Sequence, residues 1–218
     1  MNKFEGVPRT NIYYPNDDQF TRIHGYLRFD PQWFILGGPC DCYEMEYFKR
    51  LQPGGRGIMV EPNPHCYELQ RSRNKWKLGD VSIFHRALWS EDDLVLPFHC
   101  PPPGENVANS TLIRRPEWPT VEVTTITLDY LNGLLGPFTN SLLWLDCEGA
   151  EYEIVKGGHR LLSSGEVKCM NVEFCHEERE EEQDRLHELI LSYGFELVRI
   201  WNDCHTSEDR IYKLKGVQ

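Results

Sequence analysis

The sequence predicts one α/β domain built around a mostly parallel sheet, and three observations predict it. From Trp33 onward, apolar runs of strand length alternate with helix-patterned segments, the signature of βαβ units. Four of those runs end in a glycine pair or an acid: Gly37-Gly38, Glu61, Asp146 and Glu173. The chain has 218 residues, 40% hydrophobic and 26% charged, which is enough for one substantial core of ordinary globular composition.

The elements follow in order. Residues 1–31 are rich in Asn, Asp, Pro and Tyr without a sustained period, and read as an N-terminal extension or lid with one short helix at most. Residues 32–218 form the domain. Trp33-Phe34-Ile35-Leu36 is the first strand, and a helix with Tyr47, Phe48 and Leu51 on one face runs to Pro53-Gly54-Gly55. Residues 57–60 are the second strand, after which Asn63 and Pro64 supply an N-cap and a first-turn proline. Residues 81–84 are the third strand. Residues 88–120, with Pro101-Pro102-Pro103-Gly104, read as an irregular insertion beside a candidate site, because loops this long in compact domains usually carry function. Residues 121–126 resume as a strand, Thr127 caps a short helix bearing Leu128, Leu131 and Leu135, and residues 142–145 form a buried strand ending at Asp146. Residues 151–162 are helical, and residues 170–172 are a strand ending at Glu173. The acidic run 177–182 opens a helix with Leu186, Leu189, Ile190 and Tyr193, where the helix dipole favours acids, and Gly194 closes it. Residues 195–200 and 210–214 read as a final antiparallel pair.

Charge and cysteine usage narrow the function. A formal net charge of −11 disfavours bulk nucleic-acid binding, and the short basic run at 71–77 reads as a solvated helix end. No stretch approaches the roughly 20 apolar residues of a membrane span, and residues 1–10 lack the apolar core of a signal peptide; the expectation is a cytosolic, cytoplasmic protein. The eight cysteines are scattered without a Cys-x-x-Cys pair, so buried reduced thiols are expected rather than a metal centre. An acidic, aromatic-rich chain also suits a homodimer, although no segment specifies the interface.

In open α/β sheets ligands bind beyond the carboxyl ends of the strands. Gly37-Gly38 lets the backbone turn tightly and approach a ligand, although a plain turn explains it as well. Glu61 lies roughly 20 residues further on, the spacing at which an acid accepts hydrogen bonds from ribose hydroxyls. Its other reading is an acid at the start of a helix. Buried strands seldom finish in acids without a partner for the carboxylate, so the set points to nucleoside binding.

Several segments together resemble a known family. Residues 142–158 read Leu-Leu-Trp-Leu-Asp-Cys-Glu-Gly-Ala-Glu-Tyr-Glu-Ile-Val-Lys-Gly-Gly, and contain an Asp-x-Glu-Gly-Ala-Glu element. Upstream lie Val-Thr-Thr-Ile-Thr-Leu-Asp-Tyr-Leu at 123–131, Gly-Ile-Met-Val-Glu-Pro-Asn-Pro at 57–64 and Arg-Ala-Leu-Trp-Ser-Glu-Asp-Asp at 86–93; Asn-Val-Glu-Phe follows at 171–174. In this order they resemble FkbM-type methyltransferases, from about residue 33 to 214. The resemblance implies a class I methyltransferase fold, a Rossmann-like three-layer sandwich whose seven-stranded sheet has an antiparallel last strand. It implies S-adenosylmethionine as methyl donor, S-adenosylhomocysteine as product, and O-methylation of a small-molecule or glycan hydroxyl on a sugar, polyketide or related metabolite. By residue matching, Gly37, Gly38 and Asp41 would contact the methionine end, Glu61 the ribose, and the backbone near Ala87 the adenine. Asp146, Glu148 and Glu173 would line the place where donor and acceptor meet, with Asp146 also against the donor. The first motif, Ile-Leu-Gly-Gly-Pro-Cys-Asp-Cys at 35–42, departs from the family by one glycine, with Cys42 or Asp41 in its place.

The chemistry implied is simple. A sulfonium methyl is already activated, so the protein must align the acceptor and offer a base. Asp146 is the first candidate, with Glu173 and His176 in reserve, although a histidine followed by acids also reads as a surface residue. Asp146, Glu148 and Glu173 could instead hold a divalent metal, the less favoured reading. Glu148 and Glu151 also suit capping of the helix that follows. Asn109-Ser110-Thr111 could offer polar contacts to the acceptor or simply turn the chain. The alternative function is a catalytically inactive binding or scaffold protein that kept this fold and lost the donor through its altered glycine motif.

Overall fold

The computed structural model describes residues 9–11, 30–102, 106, 109–113, 115–175, 180–202 and 207–217. Tyr13, Tyr14, His176 and most of the N-terminal extension lie outside the described residues.

One large sheet organises the chain. Its strands are β1 (Arg9–Asn11), β2 (Trp33–Gly37), β3 (Arg56–Val60), β4 (Val81–Phe84), β8 (Ser141–Leu145), β9 (Val167–Cys175), β10 (Phe195–Asn202) and β11 (Ser207–Leu214). They lie in the order β1-β10-β11-β9-β8-β2-β3-β4. The neighbours from β4 to β9 pair in parallel, while β11 is antiparallel to both β9 and β10. The seven expected strands with an antiparallel last strand are therefore present. The N-terminal β1 adds an eighth, parallel to the outer edge of β10. Because edge strands present unpaired backbone groups, this short pairing covers an otherwise open rim.

Both faces of the sheet are covered, which is why its strands read as continuous apolar runs. On one face Trp33, Ile35, Ile58, Val60, Leu143, Leu145, Met170, Val172 and Phe174 form one core. It packs against α3 (Leu128–Leu135), α4 (Glu151–Lys156), α5 (His159–Ser163) and α6 (Glu180–Ser192) through Leu131, Ile154, Leu161 and Leu186. The alternate residues Phe34, Leu36, Met59, Leu142, Trp144 and Ile211 form the second core with Met45 and Phe48 of α1 (Tyr43–Leu51). The second helix, α2 (Pro64–Lys77), starts as expected: the Asn63 side chain accepts from His65 N at 2.9 Å and Cys66 N at 3.4 Å, with Pro64 in its first turn. No helix among the described residues is long and apolar enough to cross a membrane.

Three expectations need correction. Residues 88–120 are not irregular throughout: β6 (Val95–His99) pairs antiparallel with β7 (Thr120–Ile126), and β5 (Ala87–Leu88) pairs parallel with β7 to make a separate three-stranded sheet. Buried Phe98, Ala87 and Val123 give it a small core. The helix expected over 151–162 is two helices, broken at Gly157-Gly158. A Cβ on Gly157 would lie 2.1 Å from the Trp89 carbonyl, so the chain turns where only glycine fits. Asp129 then caps the second piece, its carboxylate accepting from Arg160 N at 3.0 Å and Leu161 N at 2.8 Å. Finally, Glu173 does not end its strand, which runs on to Cys175 under cover of β11.

Candidate active site

The strand order reverses between β2 and β8, and a cleft opens at their carboxyl ends, where such sheets bind ligands. It is lined by Gly38, Glu61, Ala87, Asp146 and Glu148 among the expected residues. Gly38 is obligatory there. Its φ is +75°, and a Cβ would come within 1.7 Å of the Asp146 carbonyl oxygen. The turn after β2 thus lies directly against the turn after β8, and Asp146 N donates to Gly37 O at 3.2 Å. The absent family glycine leaves its mark on the backbone: Cys42 has a φ of 63°, the left-handed conformation that glycine adopts without penalty. The loop keeps the shape while the thiol is buried in the core beside Met45 and Phe48.

Glu61 is only 4% exposed, and its carboxylate organises the cleft. Oε1 accepts from Asn63 N at 2.7 Å, and Oε2 accepts from Cys40 N at 3.1 Å and Gln70 Nε2 at 3.3 Å. Burial raises its proton affinity to a pKa of about 7, against the opposing pull of these three donors. A carboxylate offers about four acceptor sites, so one remains for a ligand hydroxyl. The first cleft thus combines a nearly glycine-like loop, a strand-end acid with acceptor capacity and the buried backbone of Ala87, groups whose chemistry suits a nucleoside.

Beyond β8 the chain turns sharply through Glu148 (φ 52°) and Gly149 (φ 94°). The buried Glu151 carboxylate holds this turn by accepting from Cys147 N at 2.6 Å and Gly149 N at 2.9 Å. Glu151 thus ties the turn ahead of α4 rather than capping the helix, whose N-cap Ala150 makes no side-chain hydrogen bond, and Glu148 faces the cleft. Oxygens of Asp146, Glu148 and Glu173 lie within 4.8 Å of one another. Asp146 keeps solvent access through the mouth of the cleft. The enclosing protein, then the carboxylates of Glu173 and Asp209, a hydrogen bond with Glu173 and the charge of Glu148 raise its proton affinity well above the ordinary aspartate value. Asn171 donates to Asp209 Oδ1 at 2.7 Å beneath this cluster.

A second cleft adjoins the first and shares Glu148 with it. Trp89, Ile113, Arg115, Tyr152 and Arg185 line it. A strap separates the two: Ser110 and Leu112 face the first cleft, whereas Thr111 and Ile113 face the second. It is pinned at both sides, by Asn63 Nδ2 donating to Ser110 Oγ at 3.0 Å and by Thr111 Oγ1 donating to Glu148 O at 2.7 Å. The polar contacts expected of Asn109-Ser110-Thr111 are thus partly made within the protein.

Among the expected site residues, Gly38, Glu61, Ala87, Asp146 and Glu148 meet at the first cleft, and Glu173 joins them through the carboxylate cluster. Gly37 is packed below the surface, where a Cβ would meet Leu88 and Cys147. Asp41 does not line the cleft; its Oδ1 faces Tyr43 N at 3.4 Å at the start of α1. Sequence reasoning missed Cys40, Cys66 and Phe98 in the cleft wall, and Asp209 behind Asp146. Cys40 follows the glycine pair by two residues, a position that could have been read; Asp209 reaches the site only through sheet pairing and carries no local signal.

Comparisons with known proteins agree with this fold. The fold is similar to that of a precorrin-6y C5,15-methyltransferase from Geobacter metallireducens GS-15, at 11% identity over 97% of this chain and 95% of that one, with a TM-score of 0.55. It is also similar to Aeropyrum pernix fibrillarin in complex with S-adenosyl-L-methionine, at 10% identity over 85% of this chain and 67% of that one, with a TM-score of 0.53. No curated protein matches the chain in sequence. The family model of the methyltransferase FkbM domain matches residues 38–197, which takes in the glycine loop, Glu61, the Asp146 turn and Glu173. The chain belongs to the FkbM methyltransferase family.

Proposed function

We propose that this protein transfers a methyl group from S-adenosylmethionine to a hydroxyl oxygen of a small polar acceptor such as a sugar or a polyketide. The observation that carries the reading is the carboxylate cluster of Asp146, Glu148 and Glu173, of which Glu148 lines both clefts. When bound, S-adenosylmethionine supplies a methyl group already activated on sulfonium. The chain's own residues then have three tasks. Glu61 accepts a ribose hydroxyl with its remaining acceptor site, while Gly38 and the Ala87 backbone allow close approach of the donor. Trp89 and Tyr152 offer aromatic surface, and Arg115 and Arg185 offer donors, to an acceptor body in the second cleft. Asp146, once ionised, takes the hydroxyl proton, with Glu173 placed to share it through their hydrogen bond.

The experiment is a methyl-transfer assay across sugars and polyketide alcohols, comparing wild type with Asp146→Asn. The proposal expects kcat to fall by about 10²–10⁴-fold, the span of general-base catalysis, with S-adenosylhomocysteine affinity retained. It also expects wild-type kcat to rise with pH through a value above the ordinary aspartate range, because Asp146 must ionise before it can accept a proton. Unchanged turnover in Asp146→Asn would remove Asp146 from the mechanism.

A further inference from the structure

The first cleft also carries two thiols for which methyl transfer has no use. Cys40 Sγ and Cys66 Sγ lie 4.0 Å apart in hydrogen-bonding contact, and both line the cleft next to Glu61. Cys40 is half-buried in the turn between β2 and α1, while Cys66 is 2% exposed in the first turn of α2. A disulfide needs the sulfurs at about 2.05 Å. The required approach falls on the Cys40 side, which lies in a turn outside any regular element, whereas Cys66 is fixed by the helix and by the Asn63 cap. Cys147, the third thiol lining this cleft, and Cys100 behind Ser110 have no thiol partner among the described hydrogen bonds.

We propose that Cys40 and Cys66 form a modification site, a dithiol that a low-molecular-weight disulfide such as oxidised glutathione converts reversibly into a disulfide, closing the ribose corner of the cleft. The effect on the donor rests on the reading of this cleft as the donor site. Cys40 is the attacking group: it is the more accessible of the two, and its hydrogen-bonding contact with Cys66 holds its thiol below the ordinary cysteine value, which favours the nucleophilic thiolate. Its proton goes to solvent, its sulfur bonds to one glutathione sulfur, and the other glutathione leaves as thiolate. Cys66 then attacks Cys40 Sγ and gives its proton to the second departing glutathione thiolate. Two protein thiols are oxidised to one disulfide, and one glutathione disulfide is reduced to two thiols. The new bond draws the Cys40 turn toward α2. Cys40 N donates to Glu61 and Cys40 O accepts from Gln70, so the groups that orient the Glu61 carboxylate move with it.

The test treats the reduced full-length protein with oxidised glutathione, blocks remaining thiols, and maps linked peptides by mass spectrometry. In parallel, S-adenosylhomocysteine affinity is measured before oxidation, after it, and after dithiothreitol. The expected result is a Cys40–Cys66 linked peptide, affinity weakened by about tenfold or more, and recovery on reduction. Linkage requires that saturating S-adenosylhomocysteine resist the oxidation by the same factor. Cys40→Ser, which lacks the attacking thiol, should show no oxidant-dependent loss of affinity, whereas Cys66→Ser should give no linked peptide and stop at a glutathione adduct on Cys40. In the wild type, a stable glutathione adduct on Cys40, or linkage to Cys100 or Cys147, would overturn the site, and a Cys40–Cys66 link with unchanged affinity would overturn the closure. If the reduced protein binds no S-adenosylhomocysteine, the transferase reading fails, while the peptide map still decides the dithiol.

Discussion

Glu61 joins structure to function most tightly among single residues. Buried at 4% exposure with a pKa raised to about 7, it favours the proton when folded more than when unfolded. Its contribution to stability is therefore full below the ordinary carboxylate range and is lost as pH rises through about 7, a change of roughly 3 kcal/mol at 1.36 kcal/mol per unit. Urea unfolding at pH 5 and at pH 8 should show a smaller fall in stability for Glu61→Gln than for wild type. The donor acts in the opposite sense, since a ribose hydroxyl needs the ionised carboxylate. S-adenosylhomocysteine affinity should weaken as pH drops below about 7 in the wild type, and a flat profile would contradict the assigned contact. Gly38 is constrained by packing before any ligand arrives. With a positive φ and a backbone oxygen 1.7 Å from the missing Cβ, Gly38→Ala should cost more than about 3 kcal/mol in unfolding experiments.

At the scale of elements, much of the family's sequence pattern is structural. Thr127 caps α3 by accepting from Tyr130 N at 2.9 Å, Leu128 lies in the core, and Asp129 caps α5 across the fold. Thr125 Oγ1 accepts from Leu94 N at 2.9 Å and donates to Glu91 O at 2.6 Å, fixing the turn before β6. Asp129→Ala should accordingly lower stability by about 1–2 kcal/mol and leave S-adenosylhomocysteine affinity unchanged; a loss of affinity without a loss of stability would contradict this. The caps at Asn63 and Thr127 were legible in the sequence because capping depends on residues within one turn. The break at Gly157 was not, because its cause is Trp89, a residue remote in sequence. Strand β6 was hidden by Pro97 and by having only Phe98 and His99 buried, as suits an edge strand.

At the scale of the whole molecule, apolar runs and strand-end acids were sufficient to read the parallel sheet and the place of its cleft. Both follow from a local period and from the reversal of strand order, which alternating βαβ units impose. What could not be read is whatever arises only on assembly: β1 closing the edge of β10, Asp209 entering from β11 behind Asp146, and the strap at 110–113 dividing one cleft into two. The shortened glycine motif raised the question of whether the donor site survives. Cys42 keeps the left-handed turn and Glu61 keeps an acceptor site, and both features support the proposed donor site. The central claim is therefore that the first cleft binds the methyl donor through Glu61. The most direct measurement is calorimetric titration of the reduced protein with S-adenosylhomocysteine, repeated on Glu61→Gln. Micromolar binding is expected, weakened about tenfold or more in the variant by the loss of one charge-assisted hydrogen bond. Absence of binding by folded wild-type protein, or equal affinity in the two proteins, would contradict it.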